Sequence, residues 1–141
     1  MTDNPILVKS EDFAVEMIML YKELIAQKAY SLADQLLRCS TSIGANASEA
    51  VFGQSLADFH SKFCISLKEA NETRYWLRLL YRSEYITEDQ FKDYNAKCEE
   101  LIRILVAITK NSKKQAQHQQ EKIQPQEEVS NDYYAEEDIF I

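Results

Sequence analysis

The sequence predicts an all-α fold, an antiparallel up-down-up-down four-helix bundle followed by a disordered acidic C-terminal tail. Three observations carry that prediction. Only 2 Gly and 2 Pro occur in 141 residues, far too few for the tight turns that sandwiches and barrels require. Hydrophobic residues make up 45% of the chain, enough for one packed domain. They recur at spacings of three and four in four long segments separated by short breaks.

The first segment runs from Pro5 or Ser10 to Lys28. Pro suits a first helical turn and Ser10 is an alternative cap. Phe13, Met17, Leu20 and Leu24 form one row, with Ala14, Ile18, Tyr21 and Ile25 beside it and Val15 and Met19 on the far side. A helix apolar on most faces is expected to be covered on more than one side. The second runs from Tyr30 to Phe52 on a stripe of Leu32, Leu36, Ile43, Ala47 and Ala50. Its middle, Ser40 to Ser48, is built of small residues that are mediocre helix formers but allow a neighbouring backbone close. A loop there would break two apolar halves that share one helical phase, so a helix is expected.

Gly53-Gln54 interrupts the chain, and Ser55-x-x-Asp58 can cap a third helix to about Ser83. Phe59, Phe63, Leu67, Ala70, Leu77 and Leu80 form its inner face. Thr87-x-x-Gln90 is a capping box for a fourth helix, which is expected to end near Lys110, with Phe91, Tyr94, Cys98, Leu101, Leu105 and Ile108 as its seam. The expected domain is therefore 1–114. Residues 115–141, Gln-rich and then acidic, read as a disordered tail with an apolar end, Ile139-Phe140-Ile141.

The net charge of −7 is unevenly placed. Residues 1–114 hold 15 basic and 16 acidic residues, a net of −1, while residues 115–141 hold 1 and 7, a net of −6. The body is close to neutral, which argues against strong phosphate binding. The three cysteines, Cys39, Cys64 and Cys98, lack zinc-ligand spacing and are expected to be buried, reduced thiols. No apolar run reaches membrane-spanning length and the N-terminus does not read as a signal peptide, so a cytoplasmic location is expected.

Carboxylate-bridged metal sites in four-helix bundles need Glu-x-x-His on two helices. Ala57 and Gln115 stand three residues before His60 and His118, the two histidines. No metal, no cofactor and no catalytic site are expected. Two polar sets remain. Arg38, Ser42, Asn46 and Glu49 share one side of the second helix, and Glu69 and Glu72 lie on the third. Either Arg38 pairs with a third-helix glutamate and sets the register of two close helices, or these residues line a polar pocket or a subunit contact. Arg74, Arg78 and Arg82 form a row beside Tyr75, Trp76, Tyr81 and Tyr85. That is either a solvated face or a surface for phosphates and unstacked bases, which the acidic tail would mask.

Several strings resemble a known family: Leu36-Leu37-Arg38-Cys39-Ser40-Thr41-Ser42-Ile43-Gly44-Ala45-Asn46-Ala47-Ser48-Glu49-Ala50, Asp58-Phe59, Ser66-Leu67-Lys68-Glu69-Ala70-Asn71-Glu72-Thr73-Arg74-Tyr75-Trp76-Leu77 and Tyr85-Ile86-Thr87-Glu88-Asp89-Gln90-Phe91. They are similar to the bacterial four-helix bundle proteins, also called ribosomal RNA intervening-sequence proteins, over residues 5–114. The resemblance implies a bundle that assembles as a ring, typically a homopentamer. It also points to a related branch, the accessory proteins of diversity-generating retroelements, which bind a reverse transcriptase and nucleic acid. Cys39 departs from the family's usual Ser, and the acidic tail lies outside its pattern. Two functions follow as expectations: a non-catalytic oligomeric scaffold that binds itself and a protein partner, or a nucleic-acid-binding accessory protein.

Overall fold

A computed structural model describes residues 4–123; the tail beyond Ile123, and the expectations placed on it, lie outside the described residues. Four helices follow one another: α1 Pro5–Ala26, α2 Tyr30–Val51, α3 Leu56–Arg82 and α4 Glu88–Ile123. They form the expected antiparallel bundle, each helix packing on the next and α4 returning to α1.

Local chemistry explains each end. Asn4 caps α1, its side chain accepting from the Ile6 amide at 3.2 Å, with Pro5 in the first turn. Ser10 is not a cap; it is buried and donates to the Leu7 carbonyl. Ser55 accepts from the Asp58 amide at 3.0 Å. Thr87 and Gln90 close the reciprocal box at 3.0 and 3.1 Å.

The ends of α1 and α3 are stopped without glycine. After α1 the Lys28 amide bonds the Ile25 carbonyl and the Ala29 amide bonds Leu24; after α3, Glu84 bonds Tyr81 and Tyr85 bonds Leu80. This is the Schellman pattern, with Lys28 at φ 63 and Glu84 at φ 68 in the left-handed position. An L side chain there costs roughly 1–2 kcal/mol relative to the right-handed region.

The core follows the sequence rows closely. Phe13, Met17, Leu20, Leu24, Leu36, Ile43, Phe63, Leu77, Leu80, Leu101 and Leu105 are buried. Leu32, Phe59, Leu67, Phe91, Tyr94 and Ile108 flank them, half-buried.

Two expectations are corrected. The fourth helix does not end near Lys110: α4 continues past residue 114 to Ile123. Its added turns are rich in Gln and Lys, which are good helix formers. Gln115 and His118 of these turns lie beside Leu56 at the start of α3. Cysteine burial holds for Cys39 and Cys98 but not for Cys64, which is exposed.

Candidate functional site

The clearest unpartnered surface is the outer side of α1. Val8, Val15, Ile18 and Met19 are 46%, 57%, 40% and 56% exposed. Their spacing places them opposite the buried row Ile6, Phe13, Met17, Leu20 and Leu24, so a helix apolar all round buries only one half of itself within a single chain. Glu11 and Lys22 are interleaved with the stripe. Beside it, α1 and α2 leave an open groove of about 400 Å³, lined by Leu7, Ser10, Ala14, Thr41, Gly44 and Phe52 among others. Gly44 creates this close approach: a Cβ there would meet Ser10 Oγ at 3.0 Å and Ser10 Cβ at 3.4 Å. Phe52 stands at the rim, 72% exposed.

The small-residue stretch of α2 meets α3 on its other side. Ser66 donates to the Ile43 carbonyl at 2.7 Å across that seam, and the Thr73 hydroxyl lies 3.2 Å from Cys39 Sγ. Burial pushes the Cys39 thiol up to about 11 and Cys98 up to about 12. Both sulfurs therefore stay protonated and inert at neutral pH.

The polar residues singled out in the sequence are split between two contacts. Arg38 reaches Glu72 at 2.5 Å and Glu69 at 3.7 Å, joining α2 to α3. The Arg38 side chain is half-exposed, so this is a surface pair with a partly sheltered acid rather than a buried bridge. Burial raises Glu69, the like charge of Glu72 adds to that, and Arg38 opposes both. Glu49 pairs with Lys62 at 2.8 Å. Asn46 turns back to the Ser42 carbonyl of its own helix at 2.8 Å. These residues tie two helices together and do not converge on one pocket.

Arg74, Arg78 and Arg82 are all exposed on α3. Arg74 contacts Asn71 at 3.2 Å, and among the described residues none of the three forms an ion pair. Tyr75 is exposed beside them. Trp76 packs on the core edge with its indole N–H directed at Glu72.

Sequence reasoning missed one grouping. His60 and Cys64 sit one turn apart on α3, with Cys64 Sγ 3.5 Å from His60 Nε2. On the far side of the ring, Nδ1 lies 2.6 Å from Ser112 Oγ of α4. The His60–Cys64 spacing of four was a visible signal; Ser112, 52 residues away and in the segment read as the end of the domain, was not. Among the described residues no set of three His, Cys, Asp or Glu side chains is placed to hold a metal ion, and no helix is long and apolar enough to cross a membrane.

An antiparallel bundle with a small-residue α2 and an unpartnered α1 face defines a class of helical proteins rather than a chemistry. Residues 2–107 match the 23S rRNA-intervening sequence protein family, and the chain belongs to that family. The fold is similar to a crystal structure from Bacteroides thetaiotaomicron, described as a protein of unknown function from the S23 ribosomal protein family. The two share 49% identity at a TM-score of 0.73, over 74% of this chain and 98% of that one. No curated protein matches.

Proposed function

We propose that the protein is a non-catalytic, cytoplasmic assembly module in which copies of this bundle associate, as a pentamer, through the outer face of α1 and the adjoining α1/α2 groove, and present a composite surface to a protein partner. The observation that carries this reading is the stripe of Val8, Val15, Ile18 and Met19, next to an open groove with Phe52 at its rim. Monomers rarely leave contiguous large apolar side chains in water, and a ring needs the same two complementary surfaces on every copy. Light scattering on the full chain at micromolar concentration should give a pentamer mass. Val15→Glu combined with Met19→Glu should give a monomer with unchanged helical circular dichroism. A wild-type monomer overturns the proposal.

One observation favours a second reading, nucleic-acid binding: the exposed Arg74, Arg78 and Arg82 row has no acidic partner among the described residues. Phosphate contacts make affinity fall steeply with salt. Single-stranded RNA binding that is lost in Arg78→Glu and weakens with salt would support it. Binding unchanged by that substitution would leave the row a solvated face.

A further inference from the structure

A groove of about 900 Å³ lies between α3 and α4 and shares no residue with the α1/α2 surface. Its walls carry His60, Cys64, Ile65, Lys68, Lys110 and Lys113, and no carboxylate is among the lining residues. Cys64 is the exposed thiol of the three.

The parts around that sulfur fit proton transfer. If His60 takes the thiol proton, the resulting imidazolium has both N–H groups satisfied. Nε2–H faces the Cys64 sulfur at 3.5 Å, and Nδ1–H donates to Ser112 Oγ at 2.6 Å. Ser112 can accept because its own hydroxyl proton lies on the Thr109 carbonyl at 3.2 Å. Ser112 is also buried, so it holds the ring on a fixed support from the neighbouring helix. This is nucleophile, base and orienter in the arrangement that activates cysteines. Partial burial holds the Cys64 thiol above its ordinary range, and Lys113 pulls it back. The resting group is therefore a thiol, and reaction requires a base at hand.

We propose that Cys64 is a stoichiometric thiol-exchange site for small disulfides that carry carboxylates, with His60 as its base and Lys68, Lys110 and Lys113 as the cationic surround that selects the anion. Cys64 gives its proton to His60 Nε2, and the thiolate attacks one sulfur of the disulfide. A new bond forms from Sγ to that sulfur, the original S–S bond breaks, and the departing thiolate keeps the electron pair and takes the proton from His60. One disulfide replaces another, and one free thiol is released per chain. The three lysines oppose the loss of affinity that an anion would suffer at a neutral or acidic surface.

Full-length protein is incubated with oxidised glutathione, which is anionic, and in parallel with cystamine, which is dicationic; adducts are followed by intact mass and located by peptide mapping. One glutathionyl group should appear on Cys64, none should appear on Cys39 or Cys98, and a dithiol should remove it. His60→Gln should slow the reaction by about a hundredfold, the lower end of general-base effects, with circular dichroism unchanged. Lys68→Gln with Lys113→Gln leaves the sulfur and its base in place. It should erase the preference for glutathione disulfide over cystamine, as should high salt. The proposal is overturned if the adduct forms elsewhere or not at all. It is overturned equally if His60→Gln reacts at the wild-type rate, or if the wild type takes both disulfides equally well.

Discussion

The α2/α3 seam and the α1/α4 seam are built on opposite plans. Across α2/α3 the small residues of α2 meet α3, and the buried polar groups are short hydroxyls, Ser66 on the Ile43 carbonyl and Thr73 beside Cys39 Sγ, while the Arg38–Glu72 and Glu49–Lys62 pairs lie at the seam's exposed edge. Across α1/α4 the helices stand further apart, leaving a cleft lined by Lys9, Asp12, Phe13, Glu16, Lys97 and Glu100. Long charged side chains bridge it. Lys9 pairs with Glu100, Lys97 reaches Glu16 at 2.5 Å while also pairing with Asp93 of its own helix, and Gln90 donates to Glu23. Dispersion and buried hydrogen bonds hold the first seam, and both depend steeply on distance. Solvent-screened charge holds the second, and it tolerates small shifts. The difference teaches where the bundle is most closely packed: around α2, where Gly44 and Ser66 bring neighbouring helices close, and not at the closure of α1 on α4.

Three substitutions test that contrast, beginning with the largest effect. Gly44→Leu inserts a side chain where even a Cβ would crowd Ser10 of α1, and overpacking of this kind costs about 1–3 kcal/mol. Thermal or urea unfolding should show a clear loss; a variant as stable as wild type would mean that α1 can swing away freely. Next is Ser66→Ala, which removes one buried hydrogen bond to the Ile43 carbonyl and should cost about 1 kcal/mol, with no change in helical content. An unchanged denaturation midpoint would show that the hydroxyl contributes nothing to the close seam.

The smallest effect is expected at Lys97→Gln, for the pair with Glu16 is partly exposed and such pairs contribute roughly 0–1 kcal/mol. The hydrogen bond to Glu16 raises Lys97 above its ordinary value, and partial burial works against it. The sign is that of a cation stabilised by folding: the contribution is complete below the lysine range and is lost only as pH rises through the raised value. Stability near neutral pH should therefore be flat in this term, and the small difference from wild type should shrink with added salt. A loss as large as that of Gly44→Leu would erase the distinction between the close packing around α2 and the closure of α1 on α4.

Much of this architecture was legible because helical periodicity is a local property. Phe13, Met17, Leu20 and Leu24 declare a buried row by spacing alone, and Thr87 with Gln90 declares a helix start. The end of α4 is hidden in the sequence because Gln-rich composition resembles a tail, whereas the same residues favour helix and meet Leu56 at the start of α3. The turns at Lys28 and Glu84 carry no glycine to announce them.

The candidate sites were legible only in part. An Arg38 pair with a third-helix glutamate was one of the two arrangements the residues allowed; that Glu49 turns to Lys62, and Asn46 to its own backbone, depended on where α3 came to rest. Cys39 and Cys64 look alike in sequence, yet one is sealed between α2 and α3 and the other opens on a groove.

By itself the sequence determined four helices, their order, the inward row of each and a nearly neutral body, because periodicity, capping and charge act over a few residues. Only the tertiary structure decided which apolar face of α1 remains uncovered, which thiol meets water, and that Ser112 would support His60 from 52 residues away. Those outcomes depend on how rigid helices pack side by side, and the spacing within one helix holds no information about the neighbour that will lie against it.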